Sequence, residues 1–214
     1  MTPPRLVELD GRPIRIMHPI SLYIVGAQCT GKTTLVHALQ GAFVRKYPSL
    51  HLRPITEVAR KVLQKHQFSR DDITDNPERA FELQQLILAA QCKEESNNAA
   101  DPVLCDRSGV DPIVYAAKYG PPQAQEILER SPQWQYLRDR MRQSLVIVCP
   151  PHQEWLVDDG IRLMAKTQAE WEDVHLMVLQ VLQENGIAFH IVPQQLLDVE
   201  ERVEFVWRLW SNFG

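Results

Sequence analysis

Apolar and polar positions alternate with two different periods along this chain, and the switches between them outline the elements. Residues 5–17 alternate around Asp10-Gly11, which predicts a short hairpin ahead of the core. Leu22-Tyr23-Ile24-Val25 is a continuous apolar run, the mark of a strand buried on both faces. A helical pattern follows over 32–43. Residues 51–55 read as a second strand, leading through Thr56-Glu57 into a helix that ends near Gln67. Asn76-Pro77-Glu78 is a cap followed by proline at the first helical position, and Leu83, Leu86, Ile87 and Ala90 then recur at helical spacing to about Glu95. Pro102-Val103-Leu104-Cys105-Asp106 is a short apolar run that ends in a carboxylate.

Ser131-Pro132 opens another helix, to about Gln143. Residues 145–149 form the next buried strand, stopped by Pro150-Pro151. A long helix is predicted over 166–184, closed by Asn185-Gly186. A last strand covers 188–192, and Asp198 caps a C-terminal helix onto which Trp207 and Trp210 bring packing surface. Apolar strands alternating with helices indicate a parallel sheet covered on both faces, with five core strands.

One junction carries chemistry. Between the first buried strand and its helix stands Gly26-Ala27-Gln28-Cys29-Thr30-Gly31-Lys32-Thr33-Thr34. This is G-x-x-x-x-G-K-T in the strand–loop–helix context of a P-loop. Inward-pointing backbone N–H groups and a helix N-terminus bind a polyphosphate there. Lys32 is expected at the β- and γ-phosphates of ATP, and the Thr33 hydroxyl at one position of Mg²⁺. The fold class is therefore α/β, a P-loop NTPase three-layer sandwich around a five-stranded parallel sheet.

Asp106, at the end of an apolar strand, has the form of the second P-loop element and is expected to share the metal with Thr33. The run continues as Arg107-Ser108-Gly109-Val110-Asp111-Pro112, with Tyr115 one turn on. Arg107 suits an acceptor site, because its planar fork binds a phosphate or orients a carboxylate; its alternative is an ion pair with Asp106 or Asp111. Glu57, just after the second strand, is the general-base candidate, and its alternative is an acid placed for the helix dipole. Asp158-Asp159-Gly160-Ile161-Arg162 follows the fourth strand, and Arg162 there could stabilise transition-state charge, with Lys166 in reserve. Gln84, Gln85 and Gln91 share one helix and could hydrogen-bond a base or sugar. Trp155, close to the Asp-Asp-Gly turn, could stack on a ligand. No N-K-x-D guanine-reading motif is present.

Composition narrows the classes. The chain has 214 residues, enough for one α/β domain over 1–214, with 1–18 as an N-terminal extension or hairpin. A net charge of −4 gives no electrostatic case for nucleic acid or a membrane surface. No apolar run approaches a bilayer span, and the first residues do not begin a signal peptide, so a cytoplasmic protein is expected. The four cysteines lack metal-ligand spacing and read as reduced thiols, Cys29 standing apart inside the phosphate loop.

Taken in order, residues 26–34, Glu57-Val58-Ala59-Arg60, the Asp106-Arg107-Ser108 segment with Asp111 and Tyr115, and Asp158-Asp159-Gly160-Ile161-Arg162 resemble a known family. This is the AAA-type ATPase/kinase domain family that includes the ribosylnicotinamide kinase domain of NadR. The resemblance spans about residues 20–192. It implies a nucleoside-kinase-like fold and phosphoryl transfer from ATP. The Asp-Arg-Ser segment is also similar to that of deoxynucleoside kinases, in which an acid after the second strand is the base, here Glu57. The chain has Val58 where that motif carries proline, and no H-x-G-H nucleotidyltransferase signature. The expected partners are a nucleotide and a small-molecule hydroxyl acceptor, with a homodimer left open. A second reading keeps the phosphate loop but makes the chain a nucleotide-regulated (ATP or GTP) binding module or NTPase acting on a protein partner.

Overall fold

A computed structural model describes residues 20–48, 52–97, 99–152, 155 and 167–213 in full, and 5–9 and 12–16 by their backbone. The alternation near the N-terminus becomes β1 (Arg5–Leu9) and β2 (Arg12–Ile16), paired antiparallel with Leu9 opposite Arg12. The intervening Asp10-Gly11 lies outside the described residues.

The core elements follow as β3 (Leu22–Val25), α1 (Lys32–Lys46), β4 (Arg53–Ile55), α2 (Val58–His66), α3 (Arg70–Thr74) and α4 (Pro77–Ser96). Then come β5 (Val103–Asp106), α5 (Val110–Tyr119), α6 (Ala124–Glu129), α7 (Pro132–Met141), β6 (Leu145–Val148), α8 (Gln168–Glu184), β7 (His190–Ile191) and α9 (Val199–Ser211). The five core strands form one parallel sheet in the order β4-β5-β3-β6-β7. That order places the strand feeding the phosphate loop in the centre, with chain-order neighbours split to either side. Ligands of open α/β sheets bind at such a reversal, outside the carboxyl ends of the strands.

Alternation along each strand assigns side chains to the two faces. Leu22, Ile24, Leu104, Leu145 and Ile147 face α1 and α9, meeting Leu35, Leu39, Phe43, Val206, Trp207 and Trp210. Tyr23, Val25, Cys105, Val146 and Val148 face the other way, toward Val110, Ile113, Trp134, Leu137, Trp171 and Val178. Both faces are covered, so every strand residue of β3, β5 and β6 is buried. The expected α/β P-loop NTPase sandwich is the observed fold. A third apolar cluster, Val62, Ile73, Ala80, Leu83 and Ile87, joins α2, α3 and α4 beside the sheet.

Helix starts follow the capping chemistry. Asn76 accepts a hydrogen bond from the Arg79 N–H, Ser131 from Trp134, and Asp198 from Glu200 and Glu201. Where the structure departs from the sequence pattern, the reasons are local. The second and last strands are shorter than expected, because only residues beside a hydrogen-bonded neighbour hold the ladder. The long helix starts at Gln168, since the Thr167 hydroxyl caps it by accepting from Glu170. α3, α5 and α6 carry no strong helical period in the sequence: α3 and α6 are one to two turns long, and α5 has Pro112 in its first turn. No disulfide joins the four cysteines. Among the described residues no helix is long and apolar enough to cross a membrane.

Candidate active site

β3 ends at Val25, and the chain must turn at once to enter α1. Gly26 adopts φ 138°, and a side chain there would run into the Cys149 carbonyl at the end of the neighbouring strand β6. Gly31, at the α1 N-cap, has φ 73°, and its missing Cβ leaves room that the Arg202 guanidinium fills. Both positions need glycine for conformation and for space. No side chain caps α1, and no acid occupies its first turn. Its first N–H groups therefore remain available to an anion, with the positive end of the helix dipole behind them.

The loop is braced from three sides. Trp171 on α8 donates its indole N–H to the Gln28 carbonyl at 2.6 Å. The Tyr115 hydroxyl donates to the Gln28 side chain at 3.1 Å. Arg202 on α9, itself buried, donates to the Thr30 carbonyl at 3.2 Å and lies over the Trp155 ring at 4.9 Å. Trp155 thus stacks on a guanidinium of this chain.

Lys32 is 5% exposed and donates to the Ala27 carbonyl and, at 3.2 Å, to the Thr30 hydroxyl. The ammonium is satisfied by the loop's own oxygens. Burial first, and then the nearby Arg107 charge, bring its pKa down to about 8, against the opposing pull of Asp111, Cys149 and Asp106.

Parallel pairing sets Ile24 opposite Asp106 and so brings the end of β5 beside the phosphate loop. The Thr33 hydroxyl donates to Asp106 Oδ2 at 2.6 Å. The other oxygen, Oδ1, is buried and has no hydrogen-bond partner. An unpartnered buried carboxylate oxygen next to a threonine hydroxyl is a hard-oxygen donor pair that fits Mg²⁺. No group of three or more His, Cys, Asp or Glu that could hold a metal occurs among the described residues. Mg²⁺ is commonly held by one or two carboxylates together with substrate phosphates, which matches this sparse set.

Arg107 and Glu57 both stand in left-handed backbone, with φ 78° and 60°, each just beyond the carboxyl end of a strand. For non-glycine residues such conformations cost energy and collect at functional sites. Arg107 donates to Asp111 Oδ1 at 2.6 Å, and the Ser108 N–H donates to Asp111 Oδ2 at 3.0 Å. Burial acts to lower the Arg107 pKa, but Asp111, Tyr115 and Asp106 outweigh it and hold it above its ordinary value. The ion pair weighed in the sequence exists, with Asp111 as the partner. Glu57 makes no capping hydrogen bond to α2, and its carboxylate pairs with Arg60 Nε at 2.9 Å, with both side chains at least a third exposed.

These groups open onto one cavity of about 680 Å³. It runs from the phosphate loop and Lys32 past Glu57, Asp106, Arg107 and Tyr115 to a compartment under α2, α3 and α4. Leu63, Phe68, Ile73, Leu83 and Ile87 give that compartment apolar walls, Gln84 and Gln91 add two buried carboxamides, and the exposed Gln64 and Gln67 edge its opening. Gln85 is exposed on the opposite side of α4 and does not line it. Of the candidate site residues, Arg162 lies outside the described residues, as do Asp158, Asp159, Gly160 and Lys166. Arg202 and Trp171 were not among the candidates. A trace of Arg202 exists in the sequence, as a charge beside the apolar stripe Val203-Val206-Trp207-Trp210 of α9.

With this geometry in place, comparison with known proteins gives a match over residues 21–202 to a family described as an AAA domain. The chain belongs to that AAA domain family. Curated proteins give no match. Among solved structures, the family's chain resembles NadR in complex with NR, with TM-score 0.66 and 24% identity over 89% of this chain and 52% of that one. NadR with NAD and AMP-PNP gives TM-score 0.66 at 20% identity, over 91% and 50%. The chain therefore spans about half the length of NadR. A deoxyadenosine kinase from M. mycoides, with products dCMP and dCDP, gives TM-score 0.55 at 14% identity over 88% of this chain and 97% of that one. At these identities the likeness establishes the fold.

Proposed function

We propose that this chain is an ATP- and Mg²⁺-dependent phosphotransferase that phosphorylates a hydroxyl of a nucleoside-like small molecule. The observation that carries the reading is the single cavity that joins the phosphate loop to a half-open, largely apolar compartment, with Glu57 and Arg107 at the junction. An NTPase that only switches a partner has no need of a second compartment shaped for a small molecule. Structures of similar fold hold NR, or the products dCMP and dCDP, which supports a nucleoside-type acceptor.

In this reading the loop from Gly26 to Thr34 holds the triphosphate by its backbone N–H groups. Lys32 leaves the Ala27 carbonyl and neutralises charge on the β- and γ-phosphates. Thr33 and Asp106 would hold Mg²⁺, which when bound shields the phosphate oxygens from the incoming hydroxyl. Glu57 accepts the hydroxyl proton as the acceptor oxygen attacks the γ-phosphorus and the bridging oxygen departs with ADP. Its exposed pairing with Arg60 is of the kind worth about 1 kcal/mol or less, so the carboxylate is readily released for that task. Arg107, clamped by Asp111, orients the acceptor, and Gln84 is placed to hydrogen-bond its base or sugar. Arg162 is proposed as a further cation for transition-state charge.

A thermal-shift experiment tests this reading through occupancy. ATP with Mg²⁺ should raise the melting temperature, one nucleoside of a panel should raise it further, and Lys32→Ala should remove the ATP effect. A shift with nucleotide that no small hydroxyl compound increases would favour the nucleotide-regulated binding module.

A further inference from the structure

A buried polar chain lies behind the compartment wall and ends on a residue that lines it. Glu95 on α4 is 0% exposed. Its Oε1 accepts from the Gln91 side-chain N–H at 2.8 Å, and its Oε2 accepts from the Tyr23 hydroxyl at 2.5 Å. Arg140 Nε stands 3.5 Å from Oε2. Burial and the adjacent carboxylate hold the Tyr23 hydroxyl pKa well above its ordinary value, so Tyr23 keeps its proton and acts as the donor. Two hydrogen-bond donors, Gln91 and Tyr23, and one guanidinium charge thus converge on one carboxylate in the core.

Such an arrangement is a poor way to gain stability alone, because a buried ionic cluster often does no better than apolar side chains of the same volume. What it does uniquely is fix a neighbour. A glutamine carboxamide has a donor end and an acceptor end, and nothing in its shape decides which way it faces. With Glu95 accepting from Nε2, the Gln91 carbonyl oxygen is turned away from the cluster. That oxygen makes no hydrogen bond among the described residues and is not sealed from solvent, and Gln91 itself lines the cavity. Gln84, 3% exposed, lies two turns earlier on the same helix, about 10 Å along the axis. Because α4 leads back into β5, it runs antiparallel to the sheet strands. Gln91 therefore sits further from the strand ends and the phosphate loop than Gln84.

We propose that Glu95 is a positioning residue that pins the Gln91 carboxamide with its carbonyl toward the cavity, so that the acceptor must present an N–H or O–H donor at the end remote from the phosphate loop. The assignment deepens the nucleoside-acceptor reading and rests on it. It names the substrate class as nucleosides whose base carries a hydrogen-bond donor.

Matched pairs differing by methylation of that donor test it: inosine with 1-methylinosine, uridine with 3-methyluridine, and adenosine with N6,N6-dimethyladenosine. Calorimetric affinities are measured in the presence of a non-hydrolysable ATP analogue and Mg²⁺. In the wild-type protein the unmethylated member of at least one pair should bind tenfold or more tightly than its partner. In Glu95→Gln and Gln91→Leu that ratio should fall below about threefold, with the ATP-induced thermal shift retained as the measure of intact fold. Simple steric exclusion of the methyl group would survive Glu95→Gln, which leaves the cavity size unchanged, and a preserved ratio there overturns the assignment. Pairs that bind without discrimination in the wild type also overturn it and leave the nucleoside-acceptor reading standing. If no nucleoside binds while ATP does, that reading itself falls and the assignment falls with it.

Discussion

In the proposed reaction three residues handle charge and protons. Lys32 is a buried ammonium whose pKa is brought down to about 8, chiefly by burial. A bound polyphosphate stabilises the charged form and raises that value. Between pH 8 and the higher bound value, nucleotide binding must therefore take up a proton, and affinity must fall as pH rises through 8. Calorimetry in buffers of different ionisation enthalpy should show this uptake near pH 8.5. Near pH 6.5, where Lys32 is charged in both states, its contribution should vanish, and Lys32→Ala should abolish the uptake at pH 8.5. Glu57 offers a second test. Glu57→Gln keeps size and hydrogen bonding but cannot accept the proton, so kcat should drop by about 10² to 10⁴ while ATP affinity stays within a few-fold. Equal loss of both would remove Glu57 from the base role. The third residue, Asp106, keeps one buried oxygen unpartnered, in keeping with its proposed role beside Thr33 in holding Mg²⁺.

Among the elements, α9 does more than close the core. Trp207 stacks on Tyr47 at 5.1 Å and lies 5.2 Å from Phe43, while Arg202, one turn earlier, reaches the Thr30 carbonyl in the phosphate loop. Trp207→Ala should cost about 3 to 5 kcal/mol, seen as a melting temperature lower by roughly 10 °C, and should also weaken the ATP-induced shift because α9, which carries Arg202, loses its anchor on the core. A variant that loses stability but keeps the full ATP shift would separate the helix from the loop. What the sequence made legible follows from the same physics. The β3–loop–α1 unit was readable because its glycines, lysine and threonine are each required by local backbone and phosphate geometry. α4, α7 and α9 were readable from capping side chains and proline placed before an apolar period. α5 was not, since no side chain caps it and Pro112 sits in its first turn, and α3 was not, because its Ser69–Asp72 capping box heads a helix of only five residues. The left-handed backbone at Glu57 and Arg107 and the Gln91–Glu95–Tyr23 chain were also invisible. The Tyr23–Glu95 hydrogen bond, for one, joins residues 72 positions apart.

At the scale of the whole molecule, strand order is what turns separate motifs into a site. Placing β3 between β5 and β6 puts the phosphate loop, Asp106 and the Asp-Arg-Ser segment at one edge, while β4 beyond β5 brings Glu57 to the same cavity. α2, α3 and α4 then line the remaining space with apolar walls and two buried carboxamides. In the proposed reaction, donor and acceptor compartments would meet where the base candidate Glu57 stands. The most direct measurement is the fate of the γ-phosphoryl group. The protein would be incubated with γ-labelled ATP, Mg²⁺ and a nucleoside panel, and the label followed by chromatography. The account predicts label on a nucleoside hydroxyl, dependent on Lys32 and Glu57. Label released only as inorganic phosphate, whatever nucleoside is present, would contradict it and mark the chain as an NTPase.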